Sequence, residues 1–345
     1  MKTSPAIWPV LIVAAILMPA AVRAEEIVTN RLTFSARFGF NISARFTGPT
    51  ALSLNPRATP RGDLYNYDDG YVLTDVSGNL GGQTWYWGYD DSASQISGNT
   101  ILLNRSTVSG NFSSPSVNSD PNLGGELTYN RLLGTKGRFR YGVEAAANYL
   151  NLSLRNSSTS SGALSRVTDA YPFTPGTTPP AASPSNPYQG SFQGPGFVIG
   201  GTPVSSTSTI VPGGGTVAAQ RQFHADVWGL RLGPYLDLPF DTHFNVWVSG
   251  GLAVGWLNGD ASWSETVTVS GAASASSSGN GRHNDLLWGG YLAANVSWDV
   301  KDRWSVVGGV QYQNLWVYRH TFGTRQAEVD LSNSIFVTIG LSRRF

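Results

Sequence analysis

From Leu32 to Phe46 the even positions are Leu, Phe, Ala, Phe, Phe, Ile, Ala and Phe, while the odd positions from Thr33 to Arg45 are Thr, Ser, Arg, Gly, Asn, Ser and Arg. Successive side chains of a strand point to opposite faces. The pattern therefore predicts one long strand with a greasy face and a polar face. Soluble strands most often run about 5 or 6 residues, so a strand of this length suits a tilted path across a membrane and beyond it.

The same rhythm recurs seven times. Leu123 to Leu133 alternates, with Leu127 and Tyr129 opposite Glu126, Thr128 and Asn130. After a turn at 134–137, Phe139, Tyr141, Val143, Ala145, Ala147 and Tyr149 alternate with Arg138, Arg140, Glu144 and Asn148. A fourth strand runs from about Gln222 to Leu238. Phe244 to Trp256 marks a fifth, Trp288 to Trp298 a sixth, and Trp304 to Tyr318 a seventh. The eighth ends the sequence: Ile335, Val337, Ile339 and Leu341 alternate with smaller or more polar residues apart from Phe336, and Phe345 is last. Short connections at 134–137, 239–243 and 299–303 alternate with longer ones at about 47–121, 155–220, 259–282 and 319–331. Such segregation is expected of a membrane barrel with periplasmic turns and long extracellular loops. The fold expected is all-β, a transmembrane antiparallel up-and-down β-barrel of eight strands. Ten are possible if the stretch Ser94 to Val108, with its hairpin signal at Gly98-Asn99, supplies a further pair.

Aromatics give a ruler. Trp288 and Trp298 share a face ten residues apart, about 33 Å of strand, or roughly 25 Å of height at a tilt of about 40°. Phe244 to Trp256 and Trp304 to Trp316 span roughly 30 Å by the same arithmetic. These six residues are the expected interfacial girdles.

Composition agrees. Residues 1–24 read as a secretory signal peptide, with Lys2, an apolar stretch from Ala6 to Val22 and a small-residue cleavage site at Val22-Arg23-Ala24; 25–345 is the expected barrel. Cleavage removes Lys2 and Arg23, leaving 21 of the 23 basic residues against 22 acidic ones, a net charge of −1. Nucleic-acid binding driven by bulk charge is thereby excluded. No cysteine is present, so no disulfide and no thiolate metal site is possible. Beyond residue 24 no apolar run is long enough for a spanning helix, and a membrane-crossing chain must then close its strands on themselves.

The C-terminal segment carrying Ile339, Leu341 and Phe345 resembles the terminal strand of bacterial outer-membrane β-barrels, with Arg343 where that family usually places an aromatic or aliphatic residue. The whole chain resembles the small outer-membrane β-barrel superfamily that includes the membrane domain of outer membrane protein A and the opacity-type proteins. The resemblance implies the outer membrane as location, outer-membrane lipids as surroundings, and the barrel-assembly machinery as the partner that reads the last strand.

Strand parity assigns the lumen. Arg37, Arg45, Glu126, Arg140, Glu144, Arg231, Gln311 and Gln313 are expected to face inward, where a barrel of eight strands is just wide enough to be filled by side chains. Buried charges must be paired, so the expected content is a polar plug. Candidate chemistry is thin. His224 and Asp226 share the outward parity, His283 and Asp285 the inward one, and His320 lies nearby, so no single His–Asp site is expected. Asp63, Asp68, Asp69, Asp90 and Asp91 match no calcium-loop spacing, and no cofactor motif is present. The function expected is a non-enzymatic surface protein with structural or binding loops, its extracellular ligand undefined. A narrow porin-like channel is the alternative, and a rim-site enzyme a more distant one.

Overall fold

A computed structural model describes residues 30–54, 66–240, 243–270, 274–301 and 303–345; the expected signal peptide lies outside them. Eight strands form a ring: β1 (Asn30–Phe40), β2 (Asn122–Lys136), β3 (Phe139–Pro172), β4 (Ser205–Pro239), β5 (Phe244–Val269), β6 (Ala275–Lys301), β7 (Trp304–Asn314) and β8 (Ser334–Arg344). Each pairs antiparallel with the next in sequence, and β1 pairs with β8, so the hydrogen-bonded order returns to its start. The possible ninth and tenth strands are not in the ring. The Gly98-Asn99 turn is there, but strand Thr100–Ser109 pairs with the far end of β3.

The lower ring has an apolar exterior and a polar interior. On β3, Phe139, Tyr141, Val143 and Ala147 point outward and are exposed, whereas Glu144 and Asn148 are buried. On β5, Val248, Leu252, Val254 and Trp256 are exposed while Asn245 and Ser249 are buried. On β8, Ile335, Val337, Ile339, Leu341 and Phe345 all face out. Arg343 faces out as well, its guanidinium 5.5 Å from the centre of the Trp304 ring.

At one height this chemistry inverts without a change of parity. Tyr149, Trp228, Trp256 and Leu286 are cross-strand neighbours in a single row over β3 to β6. Above that row the outward residues become Asn151, Ser153, Arg155, Gln222, His224, Asp226, Asn258 and Asp260, and the inward ones become Leu150, Leu152, Leu154, Phe223, Ala225, Val227 and Leu257. An exterior that is apolar below and polar above, on the same strands, is what a change of solvent from hydrocarbon to water selects.

The four strands β3 to β6 run on above the row, to lengths of 34, 35, 26 and 27 residues. Of the connections expected as loops, 155–172 and 205–220 are strand, as are most of the described residues of 259–282 and of 319–331. Their Ser and Thr residues tolerate the pleat and cover a water-facing side. The other four ring strands stop near the row. β1 ends before Asn41, which takes a left-handed φ of 59°, and β7 ends before Trp316, φ 63°. A four-stranded sheet stands in their place, ordered 317–322, 325–330, 43–47, 117–118. Its Ala44, Phe46, Tyr318 and Val329 pack against Leu152, Leu154 and Phe223 of the long strands. Two further apolar clusters stack beyond, one around Val108, Phe112 and Leu164, the other around Tyr67, Trp87, Tyr89 and Tyr171.

Candidate functional site

The lumen of the lower ring is the densest polar cluster. Glu126, on β2, is its centre: one carboxylate oxygen accepts from Arg37 at 2.6 Å, the other from Arg231 at 2.5 Å, and Thr128 donates at 3.1 Å. Arg37 also donates to Gln313 at 2.7 Å, and Gln311 donates to the same oxygen at 2.8 Å. Glu144 accepts from Asn130 at 2.9 Å and Ser249 at 2.8 Å, and lies 3.6 Å from Arg231. Arg37 stacks 3.6 Å over Phe336, and Arg231 4.4 Å over Tyr291. Each guanidinium thus has a carboxylate at its edge and an aromatic face beneath it, the two partners that offset desolvation of a buried cation. The cavities left beside this network hold about 10 Å³ each, roughly the room of one water.

Arg37, Glu126, Glu144, Arg231, Gln311 and Gln313 therefore meet in one cluster. Arg140 lies at the lower mouth, part-exposed, bound to Asp237 at 3.0 Å and Asn245 at 2.8 Å. Arg45 is a correction: it is exposed on the outside of strand Ser43–Thr47, while Ala44 and Phe46 point in. The left-handed turn at Asn41 reverses the parity of the residues beyond it, so counting faces from Leu32 to Phe46 fails after Phe40. Tyr318 is a second such case. Its parity with Trp304 and Trp316 implied an outward ring, but it is buried above Trp316.

Several members carried too weak a signal to be read in advance. Arg31 is buried at the lower mouth, 3.8 Å over the ring of inward-facing Trp247, and was masked by its place ahead of the alternating run. Arg221, Glu265 and Arg325 form a charged triad within the upper structure, at 3.0 and 2.5 Å. Inward parity of Arg221 and Glu265 was available; the partnership was not.

The six girdle residues lie on the exterior. Phe244 pairs with Trp298 near the lower turns, with Trp304 on the adjoining strand; Trp256, Trp288 and Trp316 lie at the upper end, all exposed.

At the rim, Asn151 lies between His224 and Asp226, at 3.4 and 3.1 Å, and Asp285 is near enough to His320 to act on its charge. His283 and His320 stack with ring centres 3.7 Å apart, and His283 Nδ1 is 3.3 Å from the Tyr318 hydroxyl. Burial and the neighbouring His283 hold the His320 pKa below its usual value. Asp226 accepts from Tyr149 at 2.5 Å and Asn151 at 3.1 Å. Asp69 accepts twice from Asn104, and Asp91 caps the short helix Ser92–Gln95 through the Ala93 amide. Burial pushes the Asp68 carboxyl up to about 6. Among the described residues no group of three His, Asp or Glu side chains is placed to hold a metal ion; Asp63 lies outside them.

An antiparallel ring of eight strands that is apolar outside and polar within, over one band of height, defines the class by its chemistry: an up-and-down β-ring built as strands that cross a membrane must be. No protein-family model matches the chain, and no curated protein matches it. Among solved structures, the chain is similar to Ail, the attachment invasion locus protein of Yersinia pestis, at 6% identity over 92% of this chain and 99% of that one, with a TM-score of 0.26. It is also similar to the outer membrane protease OmpT of Escherichia coli, at 8% identity, 92% and 97% coverage and TM-score 0.30. The outer membrane protein OprG of Pseudomonas aeruginosa gives 10% identity, 92% and 96% coverage and TM-score 0.30. At these identities no role passes from them to this chain.

Proposed function

We propose that this protein is a non-enzymatic, transmembrane eight-stranded up-and-down β-barrel of the outer membrane. In this reading its lumen is sealed, and its role is structural or surface-binding, carried by the extracellular structure on β3 to β6. One observation carries the reading: directly above the polar network the interior is a packed apolar core of Leu152, Leu154, Phe223, Tyr318 and Val329. A hydrated ion would have to cross both a neutralised charge cluster and a dry core, and desolvation opposes the second step strongly. The rim supports the same reading, since Asp226 is engaged by Tyr149 and Asn151, and His283 by Tyr318 and His320. Planar-bilayer recording of the purified protein is the test. It should show no steady conductance, and stable, reproducible conductance steps would refute the seal in favour of a narrow channel.

A further inference from the structure

Charge on the lower side of the ring is arranged in a way that the lumen does not use. Beyond residue 2 the chain has two lysines, Lys136 and Lys301, and both sit at the lower turns, with Arg138 and Arg303 close by. The acidic residues Asp237 and Asp299 at this end are occupied by Arg140 at 3.0 Å and Arg344 at 2.9 Å. Within the strands at this end, Arg31 is buried over Trp247 with no ion pair among the described residues, and two further arginines, Arg131 on β2 and Arg343 on β8, also lack a carboxylate there. Both are exposed, and both point outward, toward the side that carries Leu341, Leu127 and Phe345.

They stand on either side of β1, where the ring closes. Asn30 is the cross-strand neighbour of Arg131 and exchanges backbone hydrogen bonds with Phe345. Two residues higher, on the same face, Leu32 lies between Tyr129 and Arg343. Arg131 and Arg343 are therefore two strands apart and offset by two residues, about 12 Å between backbones. Two arginine side chains span that gap. The floor between them is Asn30 and Leu32, and the Tyr129 hydroxyl is engaged by Asn30 at 2.7 Å. Trp304 lies under the Arg343 guanidinium, with Leu341 and Leu127 continuing upward as an apolar wall. Planar forks of donors suit phosphate oxygens, and an apolar wall above suits acyl chains.

We propose that Arg131 and Arg343 form a binding site for the phosphate of an anionic phospholipid in the periplasmic leaflet, seated across the β1–β8 closure. The site rests on the transmembrane reading above. A zwitterionic lipid offers the same phosphate with a cation attached, and two unpaired arginines select against it. One lipid bridging β2, β1 and β8 would clamp the seam where the first and last strands meet.

The experiment uses the full barrel folded into nanodiscs of phosphatidylcholine doped with phosphatidylglycerol, followed by native mass spectrometry of retained lipid. Wild type should retain phosphatidylglycerol selectively. Arg131→Gln and Arg343→Gln should each lower that retention about fivefold, the factor for one basic residue near an anionic surface. The double Arg→Lys variant, which keeps the charge and loses the fork, should fall between wild type and the Gln variants, and Lys136→Gln, removing a turn charge, should not change retention. Inorganic phosphate in excess should fail to displace the lipid. Equal retention in wild type and the Gln variants, equal retention of both lipids, or displacement by inorganic phosphate overturns the site. Failure of wild type to enter the nanodisc at all would overturn the transmembrane reading as well, so the two failures are distinct.

Discussion

At the residue scale, Glu126 concentrates the most energy in one side chain. It joins Arg37, 89 residues away, to Arg231, 105 residues away. Glu126→Ala leaves two buried guanidinium groups short of a partner, and breaking a buried pair costs about 3–5 kcal/mol; urea unfolding in detergent should show a loss of that size. Sensitivity to pH lies in the structure above the ring. The folded protein holds His320 below its ordinary pKa, so the unfolded chain takes up the proton first. That contribution is intact above about 6.5, the usual imidazole value, and is lost as pH falls below it. Asp68 has the opposite sense. Its folded pKa of about 6 exceeds 3.8, so the protonated form favours the fold, and this contribution disappears as pH rises through about 6. Asp68→Asn should therefore raise the melting temperature at pH 7.5 and leave it unchanged near pH 3. A gain of equal size at both values would contradict the assignment.

At the element scale, each long strand passes through two environments, and substitutions should reveal which is which. Val248 faces out in the lower band and Ser249 faces in, donating to Glu144 at 2.8 Å. Val248→Arg should cost roughly 2–4 kcal/mol in a bilayer, whereas an arginine at Asp260, outward above the inversion, should cost far less. Equal costs in reconstituted vesicles would place both sites in the same solvent. The end of β1 depends on Asn41. Its left-handed backbone suits Asn or Gly, and its side chain donates to the Asn333 carbonyl at 2.9 Å. Asn41→Val should destabilise by about 1–3 kcal/mol, and Asn41→Gly by less, by equilibrium unfolding.

At the scale of the whole molecule, the ring is one continuous sheet that changes its inside-out sense at a single height. Below the row of Tyr149, Trp228 and Trp256 the outside is greasy and the centre charged; above it the outside is polar and the centre is Leu152, Leu154 and Phe223. The seal proposed for the lumen rests on this stacking. Removing a few polar plug residues should destabilise the protein before it produces a clean pore, because the apolar core remains above. Conductance of Glu126→Ala alongside its unfolding free energy measures both effects together.

Alternation with period two is local, so the sequence alone determined eight strand segments, the short lower turns, the outward face of Ile339, Leu341 and Phe345, and the inward face of Arg37, Glu126 and Arg231; that Thr100–Ser109 adds no strand to the ring was decided by its pairing with the far end of β3. What a face meets is not local. Whether it contacts hydrocarbon, water or a second sheet depends on segments a hundred residues away. Only the tertiary structure decided that Leu150, Leu152 and Leu154 turn into a core while Asn151 and Ser153 turn to water. The same strand parity that marks Phe139 as outward-facing continues unbroken past them. Only the tertiary structure showed Arg45 on the outside, because one left-handed residue at Asn41 reverses the faces of the strand Ser43–Thr47 that follows it. Pairing within the lumen was likewise undecided: parity gathers the charges in one place, and the register of β1, β2 and β4 determines which arginine meets Glu126.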